Sequence, residues 1–354
     1  MSLYIIVFVL ILLLSLLEIF LKDKRISIIT CILMVFIAGN RYKVGYDFGT
    51  YENFFKESVS LEKIFNGSID AESGYLLLNY LFNKIGFNFN FFVLFFSVLS
   101  IGLLTFFLSK HFPYPSLSLI YYYARYFLVR DMGQIRSSLA CIILLFSIPY
   151  MIEKRPVKFT IIVLIASLFH ISSLAFLLVY IFNLLFERLD FKNVLFLLTF
   201  AVIVGIIIQN PQLYQMGIPD RYIAYFTNPV YINGQWLMNP VLWMQLGIFF
   251  GALIFIRFTN KEMVTKLDGY LKVYFLASFI LIAMGTLGTV GGRMSTLFAT
   301  SEIIIVPYLF MNLTNNKLVN IIFYSIFSFL IFLLIVVISG AYQSFTPYQS
   351  IFEL

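Results

Sequence analysis

The chain is expected to be an all-α, polytopic integral membrane protein. Three observations lead there: 61% of its 354 residues are hydrophobic, only 12% are charged, and apolar runs recur from end to end. A mean hydropathy of +0.94 exceeds what a water-soluble core needs, so lipid is the solvent for most of this surface. No composition shift sets off a soluble module, and residues 1–354 are treated as a single polytopic membrane domain.

The elements follow in order. Residues 3–21 form a first span that lacks a basic leading segment and a small-residue cleavage site, so it is expected to be retained. A second span covers 26–40, and 41–89 form an outer loop. Spans at 90–109, 115–130 and 134–150 come next. The stretch Phe159–Phe186 is too long for one untilted helix and short for two full ones. Beyond it lie spans at 193–208, 239–257, 270–287, 294–311 and 318–339, with 209–238 as a second outer loop.

Charge decides the sides. Lys22, Lys24 and Arg25, then Lys154, Arg155 and Lys158, then Arg257, Lys261 and Lys266 all favour the cytoplasm. They share it only if Phe159–Phe186 is a hairpin turning near Phe169–Ser173, which also returns Arg188 and Lys192. Gly74–Gly86 is then re-entrant or interfacial, both termini lie outside, and roughly twelve helices cross. The net charge of +7 is spread over these short loops as a topology signal. With no basic tail, nucleic acid is set aside as a partner. Cys31 and Cys141 fall inside apolar runs and are expected to pack, with no disulfide or metal.

This layout sends the remaining charges to the outer face: Arg41, Lys43, Asp47, the Arg130–Arg136 corner, His170, Asp220, Arg221 and Arg293. Cations at the mouth of a membrane bundle are costly and point to an anionic ligand, although any one of them could instead snorkel or pair locally. Asp131 with Gln134 has the form of a capping box opening the next helix, which puts Arg136 in its second turn. In Gly288-Thr289-Val290-Gly291-Gly292-Arg293 the glycines permit close approach beside a cation, and a tight turn with an interfacial anchor is the plainer reading. His170 alone is as easily a packing residue as a functional one. Glu52, Glu57, Glu62, Asp70 and Glu72 have the spacing of a solvated face, and Tyr121, Tyr122, Tyr123 and Tyr126 that of an interfacial aromatic belt.

Asp-x-Asp, His-Glu-x-x-His, a lysine-bearing phosphate loop and a Gly-x-Ser-x-Gly elbow do not occur, which disfavours nucleotide- and zinc-dependent chemistry. Arginine forks bind phosphate oxygens bidentately, so arginines gathered at one face suggest a lipid-linked phosphate or pyrophosphate. No cofactor and no metal are expected.

The run Arg41-x-Lys43-Val44-Gly45-x-Asp47-x-x-x-Tyr51-x-x-x-Phe55 resembles the signature of the EpsG/Wzy group of bacterial polysaccharide polymerases. Glu72-Ser73-Gly74-Tyr75, Ile135-Arg136-x-x-x-Ala140, Ala166–Ser172, Gly292-Arg293 and Pro347-Tyr348 match later patterns in order. Ser137 departs from them, standing where a Gln is expected. The resemblance implies polymerisation of undecaprenyl pyrophosphate-linked oligosaccharide at the outer face of the bacterial plasma membrane, in a fold like the C-class (GT-C) multi-span glycosyltransferases. It also implies a chain-length regulator and a flippase as partners, besides membrane lipid. Arg41, Arg130, Arg136 and Arg293 would then hold pyrophosphate, joined in substrate binding by Lys43, Tyr51 and Arg221. His170 or Asp47 would be the general base, with Arg136 in the catalytic group. A flippase for the same lipid-linked unit and an O-antigen ligase-type transferase are the alternatives. The first is disfavoured by the lack of an internal repeat.

Overall fold

The computed structural model describes residues 1–209, 228, 232, 235–257 and 261–353. Among these the secondary structure is helical, and the extended pairing consists of one isolated bridge between Arg41 and Ser350. Among the described residues, six helices are long and apolar enough to cross a membrane: Ser2–Leu21, Phe89–His111, Ile135–Ile152, Phe191–Ile208, Leu267–Met284 and Lys317–Ile338. The pair Gly288–Ala299 and Glu302–Met311, bent by 55°, is either one broken span, which would be a seventh, or a re-entrant loop. Shorter apolar helices, Ile26–Gly39, Pro156–Ser167, Ile171–Leu185 and Pro240–Ile256, occupy other expected spans. Length and composition alone thus carry six or seven of the roughly twelve crossings expected. The chain is an all-helical multi-pass membrane protein.

It folds as two compact units. The first comprises Met1–Phe146, Leu164–Ile171 and Phe310–Leu354. Its helices are α1 (Ser2–Leu21), α2 (Ile26–Gly39), α3 (Phe48–Glu57), α4 (Leu61–Phe65), α5 (Ser73–Ile85), α6 (Phe89–His111), α7 (Pro115–Tyr122) and α8 (Ile135–Leu145), with Lys317–Phe332 near the end. Helix α1 buries Tyr4, Val7, Phe8 and Ile11 and exposes Ile6, Leu10, Leu13 and Leu17, the outward apolar stripe of a helix that faces lipid. Its buried Glu18 reaches across to accept from the Ser116 N–H at 2.7 Å, satisfying an orphan donor where α7 begins at Pro115. Asn88 caps α6 by accepting from Phe91 N–H at 2.9 Å.

The 41–89 segment holds three helices, α3, α4 and α5, all packed onto the bundle. Phe48, Tyr51, Phe55, Ile64, Tyr75 and Leu76 share one core cluster with Phe92 and Phe96 of α6 and Ile135 and Leu139 of α8. Aromatic residues supply most of that cluster, and each buries a large area for few rotatable bonds.

Between α7 and α8 the backbone runs as a π-helix over Tyr123–Gly133, a local form that redirects side chains and recurs at functional positions. It overturns two expectations. Asp131 caps nothing, because Gln134 is the N-cap of α8 and Asp131 lies inside the π-helix with its carboxylate turned inward. Tyr121, Tyr122, Tyr123 and Tyr126 form no interfacial belt, being at most 3% exposed. The hydroxyls of Tyr122 and Tyr123 donate to Asp131 and to the Tyr4 carbonyl.

A C-terminal strap completes the first unit. Tyr42 N–H donates to Gln349 O (2.9 Å), Ile351 N–H to Asn40 O (2.9 Å) and Gly45 N–H to Ser344 O (3.0 Å). Gly45 has φ +101°, and a Cβ there would stand 2.1 Å from the Met132 carbonyl. Glycine lets the Arg41–Asp47 turn lie directly on the end of the π-helix.

The second unit comprises Ser147–Val163 and Ser172–Leu309. Phe159 packs against Phe176 and Tyr180, with ring centres 6.2 and 5.2 Å apart, so the apolar stretch doubles back as two short helices. Helix Lys261–Met284 is central, in contact with Phe191–Ile208, Pro240–Arg257 and Gly288–Ala299. The run expected at 294–311 is two helices broken at Thr300–Ser301. Most of the expected outer loop 209–238, with Asp220 and Arg221, lies outside the described residues.

Candidate active site

The site is assembled where the N-terminus of α5 meets the turn Leu168–Ile171. Glu72 is the N-cap residue of α5, yet its side chain does not cap its own helix. The turn supplies the cap: Gly74 and Tyr75 N–H both donate to the Leu168 carbonyl, at 3.0 and 3.3 Å. The Glu72 carboxylate in turn receives the turn. Its Oε1 lies 3.2 Å from His170 Nδ1 and 3.1 Å from Ile171 N–H. Its Oε2 accepts from the Arg136 guanidinium in a salt bridge. Burial opposes ionisation of Glu72, but His170, Arg136 and the Ile171 N–H outweigh it and hold the carboxyl below the usual carboxylate range.

Arg136, in the second position of α8, sits among three rings. Its guanidinium carbon is 5.8 Å from the centre of Tyr51, 5.3 Å from Phe54 and 5.7 Å from Tyr75. Its Nε is buried with no hydrogen-bond partner. Burial pushes the Tyr51 phenol up to about 12 against the pull of Arg136, so it stays protonated at neutral pH. The side chains of Glu72, Arg136 and His170 remain 15, 21 and 19% exposed, so the cluster is reachable from outside.

A second, fully buried cluster joins the first through Arg41. Asp131 Oδ1 accepts from the Ser100 and Ser138 hydroxyls, both at 2.8 Å, and its Oδ2 from Tyr122 at 2.7 Å. Arg41 and Arg130 are both within electrostatic reach of Asp131. Arg41, 1% exposed, donates to the Ala38 carbonyl and interacts electrostatically with Tyr51 as well. Arg130, 2% exposed, lies 3.8 Å from the Tyr126 ring centre. Lys43 is exposed, its ammonium 5.1 Å from the Tyr42 ring centre. Asp47 is the N-cap residue of α3 and acts electrostatically on Tyr51.

The first unit therefore links Arg41, Asp47, Tyr51, Arg130, Arg136 and His170 through direct neighbours, with Lys43 on the same turn as Arg41. Arg293 lies in the second unit, exposed on helix Gly288–Ala299. Arg221 lies outside the described residues. Sequence reasoning missed Glu72, placing it on a solvated face. The available signal was its place in the Glu72-Ser73-Gly74-Tyr75 run. Among the described residues no group of three His, Cys, Asp or Glu side chains could hold a metal ion.

A family model, the EpsG family, matches residues 24–350, nearly the whole chain and all of this cluster. The chain belongs to the EpsG family. Membership supports a membrane polysaccharide polymerase of the glycosyltransferase type, in keeping with the apolar helices of the fold. No curated protein and no solved structure matches this EpsG-family chain.

Two tests of the geometry follow from the α5 junction. A Cβ on Gly74 would stand 2.6 Å from Leu168 Cβ and 2.7 Å from its carbonyl oxygen, so Gly74→Ala must push away the turn that carries His170. If His170 takes part in the reaction, polymer output is expected to fall by about 10- to 100-fold, since displacements near 1 Å at a reacting group cost that much. Gly49→Ala, with open space around its Cβ, is the control and should match wild type. The second test concerns acid. Because the folded Glu72 carboxyl is held low, its stabilisation is present above the ordinary Glu range near about 4.3 and is lost as pH falls through the lowered value. The gap in melting temperature between wild type and Glu72→Gln should therefore close on acidification. A gap that widens would contradict the assignment.

Proposed function

We propose that this EpsG-family protein polymerises lipid-linked glycan at the outer membrane face. The growing chain leaves undecaprenyl pyrophosphate and joins the non-reducing end of a lipid-linked repeat unit. The observation that carries the reading is a partly exposed imidazole and a partly exposed guanidinium held on one carboxylate, in a chain otherwise built for lipid. In the proposed step, His170 Nε2 takes the proton of the acceptor hydroxyl, whose oxygen attacks the anomeric carbon of the donor. The bond from that carbon to the pyrophosphate oxygen breaks, and the electron pair leaves with the lipid pyrophosphate. Arg136 stabilises the departing charge directly, while the buried Arg41 and Arg130 add positive potential from beneath. Lys43 and Tyr51 complete substrate binding on the first unit in this proposal, and Asp47 is the second candidate base. Pyrophosphate is a good leaving group and the Arg136 fork takes its oxygens, so the proposed transfer uses no metal.

The test is reconstitution of the purified protein with undecaprenyl pyrophosphate-linked repeat units extracted from cells that lack it. A ladder of glycan lengths supports a polymerase. A single transfer to another acceptor would make the protein a ligase, and intact substrate that changes leaflet would make it a flippase.

A further inference from the structure

We infer that Glu72 is the positioning residue of the transfer reaction, fixing the tautomer and orientation of His170. The inference rests on the polymerase reading and deepens it. The two carboxylate oxygens have separate tasks. Oε2 is engaged by Arg136, so the carboxylate cannot swing toward solvent. Oε1 faces His170 Nδ1 at 3.2 Å and is pinned in the same place by the Ile171 N–H at 3.1 Å.

An ionised carboxylate only accepts, so the proton of the neutral imidazole must sit on Nδ1. Nε2 is then left with its lone pair, and it makes no hydrogen bond to a described residue. That is the tautomer a general base needs, and the adjacent carboxylate stabilises the imidazolium formed when Nε2 takes a proton. Position is fixed from the other side as well. The Leu168 carbonyl accepts from Gly74 and Tyr75 N–H, so the turn carrying His170 and the helix start carrying Glu72 hold each other reciprocally. A Glu72 that merely balanced Arg136 would need neither the imidazole nor the Ile171 contact.

Glu72 touches no reacting atom in this scheme, so it acts through His170, and a double-mutant cycle separates that role from a structural one. Wild type, Glu72→Gln, His170→Ala and the double variant are assayed for ladder formation on undecaprenyl pyrophosphate-linked repeat units extracted from cells lacking the protein. Glu72→Gln is expected to lower kcat by on the order of 10²- to 10⁴-fold with KM within about twofold, the scale of losing the correct tautomer beside a general base. The double variant should be no slower than His170→Ala alone. Glu72→Asp, which keeps the carboxylate, should recover part of the lost kcat even if Glu72→Gln folds poorly. Losses that multiply in the double variant, or a Glu72→Asp protein no faster than Glu72→Gln, would overturn the positioning role while leaving the polymerase reading intact. A wild-type protein that makes no ladder overturns the polymerase reading, and the role of Glu72 in transfer with it.

Discussion

Arg136→Ala is expected to abolish the polymer ladder. Of the three linked arginines, only Arg136 is partly exposed and bonded to the carboxylate that His170 also meets, so in the proposed reaction it is the one placed to touch the departing pyrophosphate. Removing a preorganised donor from a developing anion costs on the order of 10²- to 10³-fold, and Arg136 also anchors the Glu72 carboxylate. Arg136→Lys tests the geometry rather than the charge. A point charge keeps the attraction to Glu72 but cannot present two parallel N–H groups, so it should restore folding more than activity. The salt bridge adds a stability effect that the sequence alone did not suggest. Truncating Arg136 leaves a largely buried carboxylate with two partners instead of three, at a cost of about 1–3 kcal/mol. Ladder assays therefore need to be normalised to folded protein. An Arg136→Ala protein that extends glycan at the wild-type rate would remove this residue from the site.

Asp131→Ala is expected to be the most destabilising single change in the first unit. The carboxylate is 2% exposed and receives three hydroxyl donors, from Ser100, Tyr122 and Ser138. Those hydroxyls come from α6, α7 and α8, so the residue ties three helices to the π-helix at one point. Its loss removes an acidic group that acts electrostatically on both Arg41 and Arg130, and breaking a buried ionic group by deleting one member costs about 3–5 kcal/mol. Asp131→Asn is the discriminating partner. Its carbonyl oxygen can still accept from the two serines while its amide turns toward the Tyr122 oxygen, so the defect should be smaller and mainly electrostatic. Thermal unfolding in detergent reads both. An alanine variant that melts with wild type would show that the cluster contributes nothing to the fold.

Much of the helical framework was legible because apolar runs here are bounded by charges. Ser2–Leu21 ends at Lys22, Phe89–His111 at a Lys-His pair, and Lys317–Phe332 begins on the lysine that precedes its apolar run. The break in Phe159–Phe186 was inferred from the sidedness of lysines and arginines, and helices flank Leu168–His170 there. What failed to show was anything set by a distant partner. Glu72 looks like Glu57 or Glu62 in composition and differs in meeting Arg136 and His170, 64 and 98 residues further on. Asp131 and Gln134 have capping-box spacing, but hydroxyls on two neighbouring helices and one on α7 compete for the carboxylate, and a π-helix replaces the expected cap. The tyrosines from 121 to 126 have belt composition, and packing against the bundle puts them inside it.

The strap over the Arg41–Asp47 turn orders events during synthesis. Ile37 and Tyr348, joined by a hydrogen bond of 3.0 Å, are 311 residues apart in the chain. At about 5–20 residues per second, the turn that presents Arg41 emerges tens of seconds before Ser344–Ile351 can close over it. During that interval the Asn40 carbonyl and the Tyr42 and Gly45 N–H groups lack the partners they have in the finished protein. A chain interrupted between Ser172 and Leu309 would carry Glu72, Arg136 and His170 and still leave Arg41 unfastened, so the ribosome must pass position 350 before this polar corner can mature.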